Sequence, residues 1–459
     1  MSFGAGLRAV LASVGVLGLT LTAGTSPASA ADGTPTAPTQ LFNGNRHCSA
    51  DVNRPTHLWA RDGLVITGIP GTTGDSLVTA RYQIWPVADP DQVTTVTRDR
   101  AGPRFEAPAT VPAAALNDGQ TYAWQAQTVA GDAASEWSAP CYVTIDNTRP
   151  ANAPALSSPN YPPDGWNQGG QPVTFTLSAN GDDDVTGFQF SWQQDFPVIG
   201  TSIGDYGIPQ PVDPYSNPEY FKRADAPGGS ATLSLIPPHG AGVMTLWVRS
   251  LDRAFNGSAT TGYTFRVGST APTVTPAVPS PEFGRKTLFT LRPDAVLQST
   301  SPVVGYSVRT SDHQGGTRTV DVTAAEDGTA QVELTLDGIH GEFIQVTSRS
   351  ANGWVSDTAS WNISYDTTPT VTSDVYPENG SGGGVGVPGT FTFAPKVEDV
   401  VSYTYSFDGG PEVVVAAGTD HTASVDWTPD TNGFHYLTVY ATTGSGIQLA
   451  AYDYYFTVN

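Results

Sequence analysis

Apolar residues alternate with small polar ones over short stretches along the whole chain. One set comprises "PVTFTLSA" from Pro172, "KTLFTLRP" from Lys286 and "GTFTFAP" from Gly389. A second comprises "VTARYQIW" from Val78, "VTGFQFSW" from Val185, "VVGYSVRT" from Val303 and "VVSYTYSF" from Val400. A third follows at Leu246-x-Val248-x-Ser250, Ile344-x-Val346-x-Ser348 and Leu437-x-Val439-x-Ala441. Period two sends one face of a strand to a core and the other to water. No stretch carries a convincing helical period, so the pattern predicts an all-β chain. The sets recur in the same order, which predicts one sandwich fold used repeatedly, two sheets stacked face to face each time.

Between the repeats lie stiff polar joints: Ile145-Asp146 to Pro150, Val267-Gly268 to Pro272, and Tyr365-Asp366 to Pro369. Each proline fixes its own φ and pushes the preceding residue towards extended geometry, so a joint cannot coil into a helix. Joints spaced by roughly 100 residues fit sandwich domains. The predicted boundaries are 37–147, 154–268, 273–366 and 370–459, in tandem, each with its own core and with the joints as short spacers. The turns "DRAFNGS", "ANGW" and "TGSGI" near the end of the later repeats carry Asn, Asp and Gly, which turn chemistry accounts for.

Composition adds location. Residues 1–30 have the form of a cleaved signal peptide: Arg8, an apolar run from Ala9 to Leu21, and Ala28-Ser29-Ala30 as a small-residue cleavage site. That run is shorter than the ~20 residues a spanning helix needs, so the mature form is expected to carry no transmembrane anchor and to be secreted, extracellular or loosely attached to the cell surface. Acidic residues outnumber basic ones, 43 to 21, for a net charge of −22. Such a surface repels nucleic acid. The only cysteines, Cys48 and Cys141, both precede the first joint. In an exported chain this predicts a disulfide, which stabilises the first domain by on the order of 4 kcal/mol in the chain-entropy description.

"LNDGQTY" (Leu116 to Tyr122), followed by Trp124 and "SEWSAPCYVTID", resembles the late strands of fibronectin type III domains. The resemblance implies a tyrosine corner built from Leu116, Gly119 and Tyr122, with Asp118 where that family often has proline. The second and fourth repeats resemble bacterial immunoglobulin-like domains. Here "SLDRAFNGS" is similar to a turn pattern Ala-x-Asp-x-Ala-Gly-Asn, with Phe255 in place of the glycine. The whole resembles secreted multi-repeat proteins of actinomycetes, which implies a role as spacer, adhesin or sugar-binding accessory.

Motifs for chemistry are sparse. The chain has no His-Glu-x-x-His, no Gly-x-Ser-x-Gly and no phosphate-cradling loop. "DDDVTG" from Asp182 begins like a calcium loop, but Gln193 stands where the bidentate glutamate belongs. A polar turn is expected there, and no metal or cofactor is predicted. The irregular feature is the long connection Gln193–Gly229 in the second repeat. Its Phe196, Tyr206, Tyr215, Tyr220 and Phe221 are candidates to face a sugar ring or another protein; the alternative is that they cover one end of the sandwich. The sequence therefore predicts a non-catalytic structural or adhesive protein, with a carbohydrate-binding protein centred on this loop as the alternative. Its expected partners are cell-wall or extracellular polysaccharide or another surface protein.

Overall fold

The computed structural model describes residues 33–199, 201–203, 209–211, 213–311, 313 and 315–459. Residues 1–30, where a signal peptide is expected, and Tyr206 lie outside the described residues. The chain forms two compact units, one of Met1–Arg149 with Val198–Ser216 and Arg253–Asn256, the other of the remainder.

In the first unit a sheet ordered Arg46–His47, Pro35–Asn43, Leu64–Thr72, Ala109–Val111 faces a second ordered Thr56–Leu58, Cys141–Ile145, Thr121–Ala130, Val78–Pro86, Thr94–Ala101. Ile66, Tyr82, Trp124 and Val143 fill the space between them. Cys48, next to the short first-sheet strand, is bonded to Cys141 of the second sheet, so the disulfide staples one sheet to the other. The tyrosine corner is present: the Tyr122 hydroxyl accepts from Asn117 N at 2.8 Å and donates to Gln120 Oε1 at 3.0 Å, and Gly119 has φ of +75°. Phe255, standing where the resembling turn has glycine, takes φ of +67°, with the Arg46 guanidinium 4.3 Å from its ring centroid.

The second unit contains three sandwiches, each with a three-stranded sheet: Ala155–Ser157, Val173–Ser178, Ser230–Leu235; then Thr273–Pro276, Lys286–Arg292, Ala330–Thr335; then Thr370–Ser373, Gly389–Ala394, Ala423–Trp427. The facing sheets differ. The second sandwich has Trp166–Asn167, Thr261–Val267, Gly242–Leu251, Gly187–Ser191, Phe221–Arg223, and the fourth has Ser381–Gly382, Tyr452–Val458, Gly433–Thr443, Val400–Phe407, Val413–Ala416. The third has only Thr317–Thr323, Val303–Ser311, Gly341–Ser350 and Ala359–Ser364. It also carries a short helix, Ala295–Thr300, started by Asp294 Oδ1 accepting from Val296 N and Leu297 N. Six residues are too few for a helical period to show in sequence.

A tyrosine recurs in the strands of the second set. Tyr82, Tyr306 and Tyr403 are buried and donate their hydroxyls to Ala107 O, Gly328 O and His421 O at 2.5, 2.6 and 2.7 Å. Burial raises all three phenols above their ordinary range, Tyr403 to about 12. The second sandwich has Phe188 at this position.

The joint between the second and third sandwiches does not separate two cores, and at this one joint the structure corrects the sequence-based expectation. One continuous apolar cluster runs from the second sandwich into the third, from Phe175 and Phe265 through Leu297 and Trp354 to Phe289. Trp354, at the tip of the "ANGW" turn, is 1% exposed, and its indole N–H donates to Thr270 Oγ1 at 3.0 Å. Asn352 Nδ2 donates to Gly170 O at 2.8 Å, and Asp357 accepts from Thr270 N and Ser269 Oγ. A Cβ on Gly169 would stand only 2.8 Å from Thr270 Cγ2 and 3.0 Å from Trp354 Cζ2, so glycine is what lets the indole seat. At the next joint Thr367 also sits two positions before proline. It donates to Ile339 O and accepts from Ala450 N, but the turn's tip is Ile447, which is only half-buried.

Candidate functional site

The strand Gly187–Ser191 is buried at all five positions, although its sequence alternates. Phe188 and Phe190 enter the core, while Gln189 on the opposite face is covered by the connection that follows. Burying an amide requires partners for it. Gln189 Oε1 accepts from Arg249 Nε at 2.9 Å and Nη2 at 2.6 Å, and its Nε2 donates to Pro197 O at 2.6 Å. The Arg249 guanidinium in turn lies 4.9 Å from the Phe196 ring centroid, a cation–π contact that fixes the ring. The loop's start is thus pinned to the sheet.

Its end is pinned as well. Phe221, 4% exposed, opens the strand Phe221–Arg223 that pairs with Gly187–Gln189. Phe190 N donates to Tyr220 O at 2.9 Å, which holds Tyr220 beside the sheet. Between the two ends lies a cleft of about 680 Å³. Trp192, Phe196, Tyr220, Leu235 and Ile236, all half-buried, supply its apolar lining; Gln193, Asp195 and Glu219 supply polar groups. Trp192 is held by Phe175 and Phe265, ring centroids 6.1 and 6.2 Å away. The Glu219 carboxylate beside the Tyr220 hydroxyl pushes that phenol above its usual value. Flat apolar faces with a few acceptors are suited to a ring whose C–H face is apolar and whose edge carries hydroxyls.

Of the five aromatic candidates, the structure brings Phe196 and Tyr220 together in this cleft. Phe221 sits in the sheet as an anchor. Tyr215 belongs to the first compact unit, edge-on to Phe255 at 6.1 Å, and Tyr206 lies outside the described residues. Sequence reasoning missed Trp192, Leu235 and Ile236. Trp192 ends an alternating strand, which marked it as core; nothing local signals that Leu235 and Ile236 lie opposite it. In the "DDDVTG" turn, Asp182 accepts from Asn152 N at 2.8 Å and from Asn152 Nδ2 at 3.4 Å, tying the chain's entry to the second sandwich.

No protein-family model matches the chain, and no curated protein matches it. Among solved structures, it is similar to a tetra-tandem repeat in the extending region of a large adhesion protein, at 15% identity and a TM-score of 0.22, covering 87% of this chain and 96% of that one. It is also similar to the chicken CNTN1 FN1–FN3 domains, at 12% identity and a TM-score of 0.20, covering 72% of this chain and 98% of that one. Likeness at this level carries nothing about function.

Proposed function

We propose that this chain is a non-catalytic, extracellular adhesive repeat protein that holds a polysaccharide in the cleft of its second sandwich. The observation that carries the reading is the cleft itself: a concave, half-exposed aromatic and aliphatic lining whose two flanks are fixed to the sheet by Gln189, Arg249 and Phe221. A preformed site of this kind loses little entropy on binding. The sealed joint after the second sandwich supports an adhesive role, because a load applied at one domain passes to the next through packed side chains instead of a free linker. The export signal read in residues 1–30 supports an extracellular location.

Affinity electrophoresis against a panel of neutral and acidic polysaccharides tests the reading. Retention by at least one of them is expected, weakened about tenfold by Tyr220→Ala or by Phe196→Ala at an unchanged thermal midpoint, on the order of 1 kcal/mol per stacked ring. Retention equal in wild type and both variants, or no retention on any polymer, would remove the cleft from the function.

A further inference from the structure

Three of the four sandwiches close one edge with a short strand running parallel to their last strand: Thr56–Leu58 on Cys141–Ile145, Trp166–Asn167 on Thr261–Val267, and Ser381–Gly382 on Tyr452–Val458. The third has no such strand among the described residues, and Ala359–Ser364 ends its sheet. The sequence shows why. In the second sandwich Pro162–Pro172 separates Tyr161 from the strand at Val173, and in the fourth Pro377–Pro388 separates Tyr376 from Gly389. In the third only Gly284–Arg285 separates Phe283 from Lys286. The segment that would carry the closing strand is absent.

Its absence leaves marks on the core. The register Leu246↔Tyr263, Ile344↔Trp361 and Leu437↔Tyr454 aligns the three last strands. At the next inward position Phe265 and Phe456 are 0% and 1% exposed, whereas Trp361 and Ile363 both remain half-buried. In the second and fourth sandwiches the last-strand tyrosine donates to the carbonyl of the aromatic that precedes the closing strand: Tyr263 to Tyr161 O at 3.0 Å, Tyr454 to Tyr376 O at 2.8 Å. Trp361 holds that place in the third, with an indole N–H in place of a hydroxyl. The outward backbone donors are used in the siblings, Thr457 N to Gly380 O at 2.9 Å and Gly268 N to Asn167 O at 2.8 Å. Ser364 and Asp366 occupy the matching positions. Phe283, Gly284 and Arg285 also line a cleft of about 800 Å³ that Asp337, Glu398, Asp399, His313 and His421 share, with Arg285 paired to Glu398 and His313 to Asp337. Asp337 Oδ1 is buried there without a hydrogen-bond partner.

We propose that the third sandwich accepts an extended segment of a partner protein, which adds as a parallel strand to the edge of Ala359–Ser364. The chain's own closing strands define the occupant: an aromatic residue whose carbonyl meets Trp361, then a short turn, then two or three extended residues, as Tyr161 leads to Trp166–Asn167 and Tyr376 to Ser381–Gly382. Strand addition at an open edge draws affinity from backbone hydrogen bonds and specificity from the pockets of alternate side chains.

The probe is a fluorescent synthetic copy of Val375–Val387 carrying Glu378→Lys, titrated against the mature protein by anisotropy. A saturable rise at or below about 1 mM peptide is expected, together with slowed amide hydrogen exchange confined to Ala359–Asp366. Ser364→Pro removes one outward donor at an edge, where proline is tolerated; it should weaken binding at least tenfold with the thermal midpoint kept. No anisotropy change, no protection of 359–366 in the wild type, or equal binding by Ser364→Pro overturns the proposal. So does a wild-type dimer in light scattering that Ser364→Pro dissociates, since the occupant would then be a second copy of this chain.

Discussion

The joint between the second and third sandwiches and the joint between the third and fourth use the same connector and end in different states. Both place a threonine two residues before a proline, and both threonines bond the sandwich before and the sandwich after. The first joint receives an indole at the tip of the late turn and becomes part of a continuous core. The second receives Ile447, with Phe283 and Ile339 leaning on the fourth core, and the space beside them stays open as the acidic cleft, crossed by the exposed Arg285–Glu398 ion pair. Lys396 Nζ also reaches Asp366 Oδ2, at 2.6 Å, and holds that carboxyl down at about 2. The difference teaches that a proline-stiffened connector does not set coupling between sandwiches; the side chain delivered by the neighbouring turn does. Burial of one large ring outweighs exposed ion pairs, which contribute little in water.

The comparison breaks most readily at Trp354. Trp354→Ala is expected to cost about 3 to 5 kcal/mol and to split a shared unfolding transition of the second and third sandwiches into two, as followed by calorimetry. A single transition with an unchanged midpoint would mean the indole does not couple them.

Alkali should act on the third and fourth sandwiches before the second. Tyr365 and Tyr403 are raised to about 12, chiefly by burial. A phenol raised in the folded state contributes stability that is complete below the unfolded value near 10 and is lost as pH rises through about 12. Phe188 gives the second sandwich no such group at the recurring position; its Tyr161 and Tyr263 are raised by burial as well, but not as far. Hydrogen exchange or limited proteolysis between pH 10 and 12 should therefore find Val303–Ser311 and Val400–Phe407 opening ahead of Gly187–Ser191. The reverse order would show that the buried phenols do not govern alkaline unfolding.

The smallest effect belongs to the open joint. Arg285→Ala is expected to change stability by less than about 1 kcal/mol, measured by urea denaturation in low and high salt. A loss as large as that of Trp354→Ala would erase the distinction between the joints.

Much of this architecture was legible because alternation at period two is a local property. The strands at Val78, Lys286, Val303 and Val400 stand where the pattern puts them, and Leu116, Gly119 and Tyr122 form the corner that the fibronectin type III resemblance implies. The candidate site was half legible: an over-long, aromatic-rich loop pointed to Phe196 and Tyr220. Trp192 was hidden because a strand's last aromatic looks the same in sequence whether it faces a core or a cleft.

By itself, then, the sequence determined where the alternating strands lie and that they build a repeated sandwich fold, since period two follows from neighbouring residues along the chain. Tertiary structure alone decided that Gly187–Ser191 is covered on both faces and that Trp354 closes a joint instead of merely ending a turn. Each depends on what a distant segment does: a loop returning over Gln189, and a glycine at 169 leaving room for an indole.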